Sequence, residues 1–267
     1  MADAPIGIFD SGLGGLTIVK AIQQAMPGEA VVYFGDTAHL PYGDKTPELI
    51  RRYSRDITRF LIKKGVKAIV IACNTASAVA YDVVLNEAGK IPVFEVIGPA
   101  VREAKKQSRS KNVGVIGTRT TIASGVYRRR LKAVLPDVVL TDKATPLLVP
   151  MIEEGWLRNQ VSQDVIDAYM SDTGFAEIDT LILGCTHYPL IKHQIEKYFE
   201  ENHEHSIAVI DSSIEVAETL KHFLAEHGLT NTGTERKSHF FLTDYSAHFR
   251  ETAGLFLGET VWFEKVE

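Results

Sequence analysis

The chain repeats itself, and the repeat falls where strands end. "IGIFDSGLGGLTI" at residues 6–18 is echoed by "VGVIGTRTTI" at 113–122, and "KAIVIACNTAS" at 67–77 by "DTLILGCTHYP" at 179–189. Each half places a strand-to-loop junction ahead of a strand that ends in cysteine, 63 residues from Asp10 to Cys73 and 68 from Gly117 to Cys185. A duplicated chain folds into two similar units, so the two thiols are expected at equivalent places. In open α/β sheets ligands bind outside the carboxyl ends of the strands, and both cysteines fall there.

Apolar runs alternate with helical periodicity. Ile6 to Phe9, Val31 to Phe34, Ala68 to Ala72 and Val93 to Val96 each read as a strand followed by a turn and an amphipathic segment, the pattern of a parallel sheet. In one such segment Thr46 suits the cap, Pro47 the first helical position and Glu48 the positive end of the dipole. Leu49, Tyr53, Ile57, Phe60 and Leu61 then recur at helical spacing as far as about Lys64, with Gly65 as the stop. A second cycle has strands at Val113 to Ile116, Val138 to Leu140 and Leu181 to Leu183. The predicted fold is α/β: two similar lobes with mainly parallel sheets, related by pseudo-two-fold symmetry, with the active site between them. The first lobe is predicted to take residues 1–97 plus 208–267, and the second 98–207. The strand Ala208 to Ile210 and the helix through about Ala225 are expected to return to the first lobe. Phe240 to Leu242 and Val261 to Phe263 are expected to add at its edge.

Composition limits what such a pair of lobes does. The 267 residues, 45% of them apolar, suffice for a sizeable core, and the pattern is that of a soluble globular protein. The N-terminal stretch has no basic region ahead of an apolar one, and no run approaches the roughly 18 apolar residues of a membrane span, so a cytoplasmic protein without membrane partners is expected. With 29 basic and 34 acidic residues the net charge is −5, which argues against a general nucleic-acid surface. The densest basic stretch, residues 105–111, reads as a solvated helix end and loop. Two cysteines provide neither a disulfide framework nor a thiol zinc site.

Two thiols on facing lobes suit inversion at a carbon. One thiolate removes a proton from a stereocentre, and the opposite thiol delivers another to the far face of the planar carbanion. A free thiol, with a pKa near ~8.5, serves either step with modest tuning. An amino-acid α-hydrogen is far less acidic, and each unit of mismatch costs about 1.4 kcal/mol, so the site must stabilise the carbanion. Nothing resembles a lysine-anchored pyridoxal site, so no cofactor and no metal are expected. Donors to the substrate carboxylate and exclusion of water remain. Asn74 and Thr75 follow Cys73, Thr186 and His187 follow Cys185, and each pair is predicted to open a helix whose free N–H groups bind carboxylate and favour thiolate. Asp10 and Ser11 end the first strand at the same mouth, where a carboxylate accepts from a substrate ammonium or assists a cysteine proton.

"IGIFDSGLGGLTI", "GDTAHLPYGDKT", "AIVIACNTASA", "VGVIGTRTTI", "LVPMIEEG" and "LILGCTHYPL", running in order from residue 6 to about 213, resemble the glutamate racemases, cofactor-independent bacterial enzymes that make D-glutamate for peptidoglycan. The resemblance implies that Cys73 works on D-glutamate and Cys185 on L-glutamate, with Asp10 assisting on the first side and Glu153 and His187 on the second. It implies substrate contacts at Asp10, Ser11, Pro41, Tyr42, Gly43, Asn74, Thr75, Thr118, Thr121, Thr186 and His187, and a homodimer. Many such proteins carry a third cysteine where this chain has Thr145.

Other readings exist for several of these residues. Asp10 can be a helix cap, His187 a local partner, Pro41-Tyr42-Gly43 an ordinary turn, and Glu153 a solvated charge beside Glu154. Gly12-Leu13-Gly14-Gly15, with Asp36 further on, imitates a dinucleotide fingerprint, but position 17 is threonine where that motif needs glycine. A cysteine hydrolase using Cys185 and His187 leaves Cys73 without a role. Racemases of aspartate or hydantoins share the two-thiol logic. The non-enzyme alternative is a regulatory protein that binds DNA gyrase. The absence of a long extension before the first strand counts against it.

Overall fold

Strand and helix alternate through the computed structural model, which describes residues 2–231, 233, 237–244, 247–258 and 261–266. The first half runs β1 (Ile6–Asp10), α1 (Leu16–Ala25), β2 (Val31–Gly35), α2 (Pro47–Lys63), β3 (Ala68–Ile71), α3 (Asn74–Ala88), β4 (Val93–Glu95) and α4 (Ile97–Gln107). The second continues with β5 (Asn112–Gly117), α5 (Arg119–Ala123), α6 (Val126–Val134), β6 (Val139–Ala144), α7 (Leu148–Glu153), α8 (Gln160–Met170), β7 (Thr180–Gly184), α9 (Lys192–Asn202) and β8 (Ala208–Asp211). The chain then adds α10 (Ser212–Glu226), β9 (His239–Leu242), α11 (Ala247–Leu257) and β10 (Phe263–Lys265).

The central strands β1, β2, β3 and β7 are buried along their whole length, which is why their sequences are continuous apolar runs rather than alternating ones. They form two sheets, ordered β10-β9-β2-β1-β3-β4 and β6-β5-β7-β8, and every described pairing is parallel. The core of the first sheet, β2-β1-β3-β4, has the same order as the whole of the second, so the sequence echo is an echo of topology.

That order corrects one expectation. Ala208–Asp211 does not return to the first lobe; it pairs with β7 and closes the second sheet. The reason is the duplication: β8 follows Cys185 by 23 residues as β4 follows Cys73 by 20, and each lies outside the cysteine-bearing strand. The return begins one element later. Helix α10 packs on α1 and α4, and β9 and β10 extend the first sheet beyond β2, as expected for the C-terminal apolar runs. Smaller expectations also resolve. Thr46 occupies the N-cap of α2, but its side chain makes no capping bond, whereas Pro47, Glu48 and a left-handed Gly65 are placed as read. Helix α4 ends at Gln107, within the basic stretch. Among the described residues no helix is long and apolar enough to cross a membrane.

A buried ion pair fastens the returning chain. Lys67, just before β3, and Glu29, just before β2, approach to 2.5 Å with side chains 2% and 1% exposed. Lys67 Nζ also donates to the carbonyls of Ala2 and Leu229, and Glu29 Oε1 accepts from the Asn231 N–H. Lys67→Met is expected to destabilise the protein by about 3–5 kcal/mol, because it leaves a buried carboxylate without its counter-ion. The readout is the urea midpoint; an unchanged midpoint contradicts the clamp.

Candidate active site

Register brings the functional turns together. Phe9 pairs with Ile71, so the chain segments after β1 and β3, carrying Ser11 and Cys73, emerge side by side. Gly117 pairs with Gly184, which does the same for Thr118 and Cys185. Between the two sets of strand ends lies a cavity of about 230 Å³, lined by both cysteines. That is below the roughly 300–1,000 Å³ of sites for drug-sized ligands and suits a small amino acid. Ser11, Pro41, Tyr42, Gly43, Asn74 and Thr75 line it from the first lobe. Thr118, Glu153, Thr186 and His187 line it from the second.

The two thiols are buried, 5% and 7% exposed, but their surroundings differ. Cys73 is the N-cap of α3, and its sulfur accepts from the Ala76 N–H at 3.4 Å while the thiol donates to Ser11 Oγ at 3.7 Å. Burial and then the negative charge of Asp10 push this thiol up to about 12, against those two bonds. Cys185 Sγ lies 3.7 Å from His187 Nδ1, and His187 Nε2 lies 3.0 Å from Glu153 Oε1. Burial disfavours a charged imidazole, yet the hydrogen bonds and charges of Cys185 and Glu153 carry His187 up to about 10. At neutral pH the cavity therefore holds a thiol on one wall and, on the other, a sulfur facing an imidazolium.

Asp10 sits behind the wall rather than on it. It is fully buried; Oδ2 accepts from the N–H groups of Gly12 and Gly15, and Oδ1 has no hydrogen-bond partner among the described residues. Burial raises its pKa, opposed by the His187 charge and the backbone donors. Thr121 is likewise a step back, bonded at 3.1 Å to Thr75 and at 2.9 Å to Thr118, which makes a three-hydroxyl cluster shared between lobes. Glu153 rather than the exposed Glu154 faces His187, a distinction composition alone leaves open.

One feature differs from expectation. Asn74 and Thr75 open α3, but Thr186 and His187 lead into a 3₁₀ turn over Tyr188–Ile191 before α9 begins. Cys185 therefore precedes a short 3₁₀ turn rather than an α-helix, and the His187–Glu153 pair stands beside its sulfur. The turn is held from the other lobe: Thr17 Oγ1 donates to the Thr186 carbonyl at 3.0 Å, and Phe256 of α11 meets the His187 ring edge-on at 5.1 Å. Position 17, threonine where a dinucleotide motif needs glycine, is thus an inter-lobe clasp. Gly14 leaves room for it, since a Cβ there would run into Thr186 Oγ1 and the His187 ring. Sequence reasoning missed Thr17, Phe256, Arg119, Asp44 and Val149. Arg119 and Asp44 pair at 3.3 Å on the cavity rim, and both lie inside the recognised motifs, the one signal that could have found them.

A two-lobed parallel α/β protein with one thiol from each lobe in a shared cavity has the architecture of a cofactor-independent racemase. The Asp/Glu/Hydantoin racemase family model matches residues 14–220, and the chain belongs to that family and is an isomerase. It is 41% identical over 264 residues to the glutamate racemase of Neisseria meningitidis serogroup C, covering 98% of this chain and 95% of that one. To the glutamate racemase of Aquifex aeolicus it is 44% identical over 256 residues, covering 96% and 95%. The crystal structure of Francisella tularensis glutamate racemase in complex with D-glutamate superposes with a TM-score of 0.92 at 38% identity, covering 100% of this chain and 98% of that one.

Proposed function

We propose that this protein interconverts L- and D-glutamate by deprotonation and reprotonation at Cα, using Cys73 and Cys185 on opposite faces. The observation that carries the reading is the pair of buried thiols at equivalent strand ends of two lobes, opening on one small cavity. With L-glutamate bound, the Cys185 thiolate takes the α-proton, the bonding electrons remain on the carbanion, and Cys73 gives its proton to the other face. The product is D-glutamate, with Cys185 now protonated and Cys73 a thiolate; the reverse reaction begins from that state. The high affinity of Cys73 for its proton and the imidazolium beside Cys185 favour the L-glutamate form at rest. The first-turn N–H groups of α3 and the Thr75, Thr118 and Thr121 hydroxyls suit the substrate carboxylate. Asn74, on the cavity wall, suits its ammonium, whereas Asp10, buried behind that wall, acts through Cys73.

The supporting roles and context belong to the same reading. Asp10, Glu153 and His187 tune the thiols, and Ser11, Pro41, Tyr42, Gly43 and Thr186 complete the substrate contacts. The lobes are residues 2–97 with the described residues from 212 onward, and residues 98–211. Two free cysteines suit a reducing cytoplasm, and the product would supply peptidoglycan synthesis. A homodimer rests on resemblance and is checked by light scattering. The test of function is a chiral assay without added cofactor on both enantiomers of glutamate, aspartate and glutamine. Turnover of glutamate supports the assignment, and activity confined to another amino acid overturns it.

The pH profile follows from His187. Its proton, held to about pH 10, keeps a positive charge beside Cys185 throughout the neutral range, and loss of that proton removes the charge. The rate constant kcat/KM is therefore expected to fall as pH rises through about 10. Glu153→Gln removes one of the charges that hold the proton and moves that fall to lower pH. A Glu153→Gln profile superimposable on wild type contradicts the role of Glu153.

A further inference from the structure

Among the residues that line the cavity, Arg119 is the one arginine or lysine. The lining carboxylates are Glu153, which faces His187, and Asp44. A dicarboxylic amino acid carries one more negative than positive charge at neutral pH, and a chain of net charge −5 opposes its approach. The cavity also has depth. Cys73 and Cys185 are 5% and 7% exposed, whereas the side chains of Arg119 and Asp44 are 61% and 58% exposed. With Cα held between the two buried sulfurs, the substrate's side chain extends toward the rim, where its second carboxylate needs a counter-charge.

That rim is built across the lobes. Thr120 Oγ1 donates to the Gly43 carbonyl at 2.8 Å, with the Lys45 carbonyl at 3.2 Å, so the start of α5 lies against the 3₁₀ turn Tyr42–Asp44. The contact sets Arg119 beside Asp44, and they meet through a single bond, Nη1 to Oδ1 at 3.3 Å. This is the one hydrogen bond that the Arg119 side chain makes among the described residues, although a guanidinium offers a planar fork of donors matched to a carboxylate. An exposed ion pair of this kind adds little stability and exchanges readily for another anion. We infer that Arg119 is a substrate-binding residue: its guanidinium is the counter-charge at the mouth for the substrate's side-chain carboxylate, and Asp44 competes with the substrate for it. The inference deepens the glutamate reading of the cavity and rests on it.

Two substitutions that break the same ion pair are expected to act in opposite directions. At ~10 mM ionic strength Arg119→Ala should raise KM for L- and D-glutamate about fivefold, the upper range for exposed charges. Its kcat should be unchanged, because a contact at the mouth is equally strong in the ground and transition states. Asp44→Asn frees the guanidinium and should lower both KM values about twofold. Arg119→Lys keeps the charge and should hold KM within about twofold of wild type. The Arg119→Ala effect should fade toward none at ~1 M salt, where charges are screened beyond ~3 Å. A clasp that only held the lobes together would raise KM in both pair-breaking variants. That pattern, a wild-type KM in Arg119→Ala, an effect that persists at high salt, or failure of Arg119→Lys to restore binding overturns the inference. Wild-type protein inert toward glutamate overturns the reading beneath it, a separate failure seen before any variant is made.

Discussion

Cys73→Ala and Cys185→Ala are each expected to lower racemisation by more than about a thousandfold, within the range for loss of a positioned acid or base. Each direction uses both sulfurs, one to remove a proton and one to supply it, so neither variant retains a working half. Enantiomers have equal free energy in water, so the equilibrium constant is one and kcat/KM must fall by the same factor from D- and from L-glutamate. That equality checks the assay as well as the mechanism. Both variants should fold, because a 5–7% exposed thiol at a strand end loses little packing on truncation. Retention of more than a tenth of wild-type kcat by either folded variant contradicts two-thiol catalysis.

The second large effect is expected at His187. His187→Asn removes the charge beside Cys185 and the ring that Glu153 and Phe256 hold in place. A loss of about a hundredfold in kcat/KM is expected, equal in both directions, since the sulfur then has to ionise in a buried site without a counter-charge. Trapping with iodoacetamide supplies a second readout: Cys185 should react more slowly in the variant while Cys73 is unaffected. A variant with wild-type turnover, or with equal slowing at both thiols, contradicts the assignment of His187 to Cys185.

Much of the site was legible because its residues are local in sequence. A cysteine at a strand end followed by polar residues, present twice, places Cys73, Asn74, Thr75, Cys185, Thr186 and His187 without knowledge of the sheet. What was not legible depends on contacts between distant segments. Thr17 reaches Thr186 across 169 residues and Tyr127 reaches Asn74 across 53, and no local pattern marks either. Ala208–Asp211 pairs in the second sheet, not in the first as its sequence suggests, for a related reason. Strand count alone does not give sheet order, whereas matching the spacing from Cys73 to β4 with that from Cys185 to β8 would have placed it. The segment after Cys185 forms a 3₁₀ turn over Tyr188–Ile191 before α9, where a helix was expected.

That Cys73 and Cys185 divide the work between two faces is tested most directly by racemisation in D2O, stopped within the first few per cent of conversion from either enantiomer. In a two-base site the proton removed by one sulfur stays on the face it left, and the product takes its hydrogen from the other sulfur, already exchanged with solvent. Early product should carry deuterium at Cα and recovered substrate much less, by mass spectrometry or NMR of the separated enantiomers. Substantial retention of the substrate's own α-hydrogen in the product, from either direction, would mean that a single base carries the proton across.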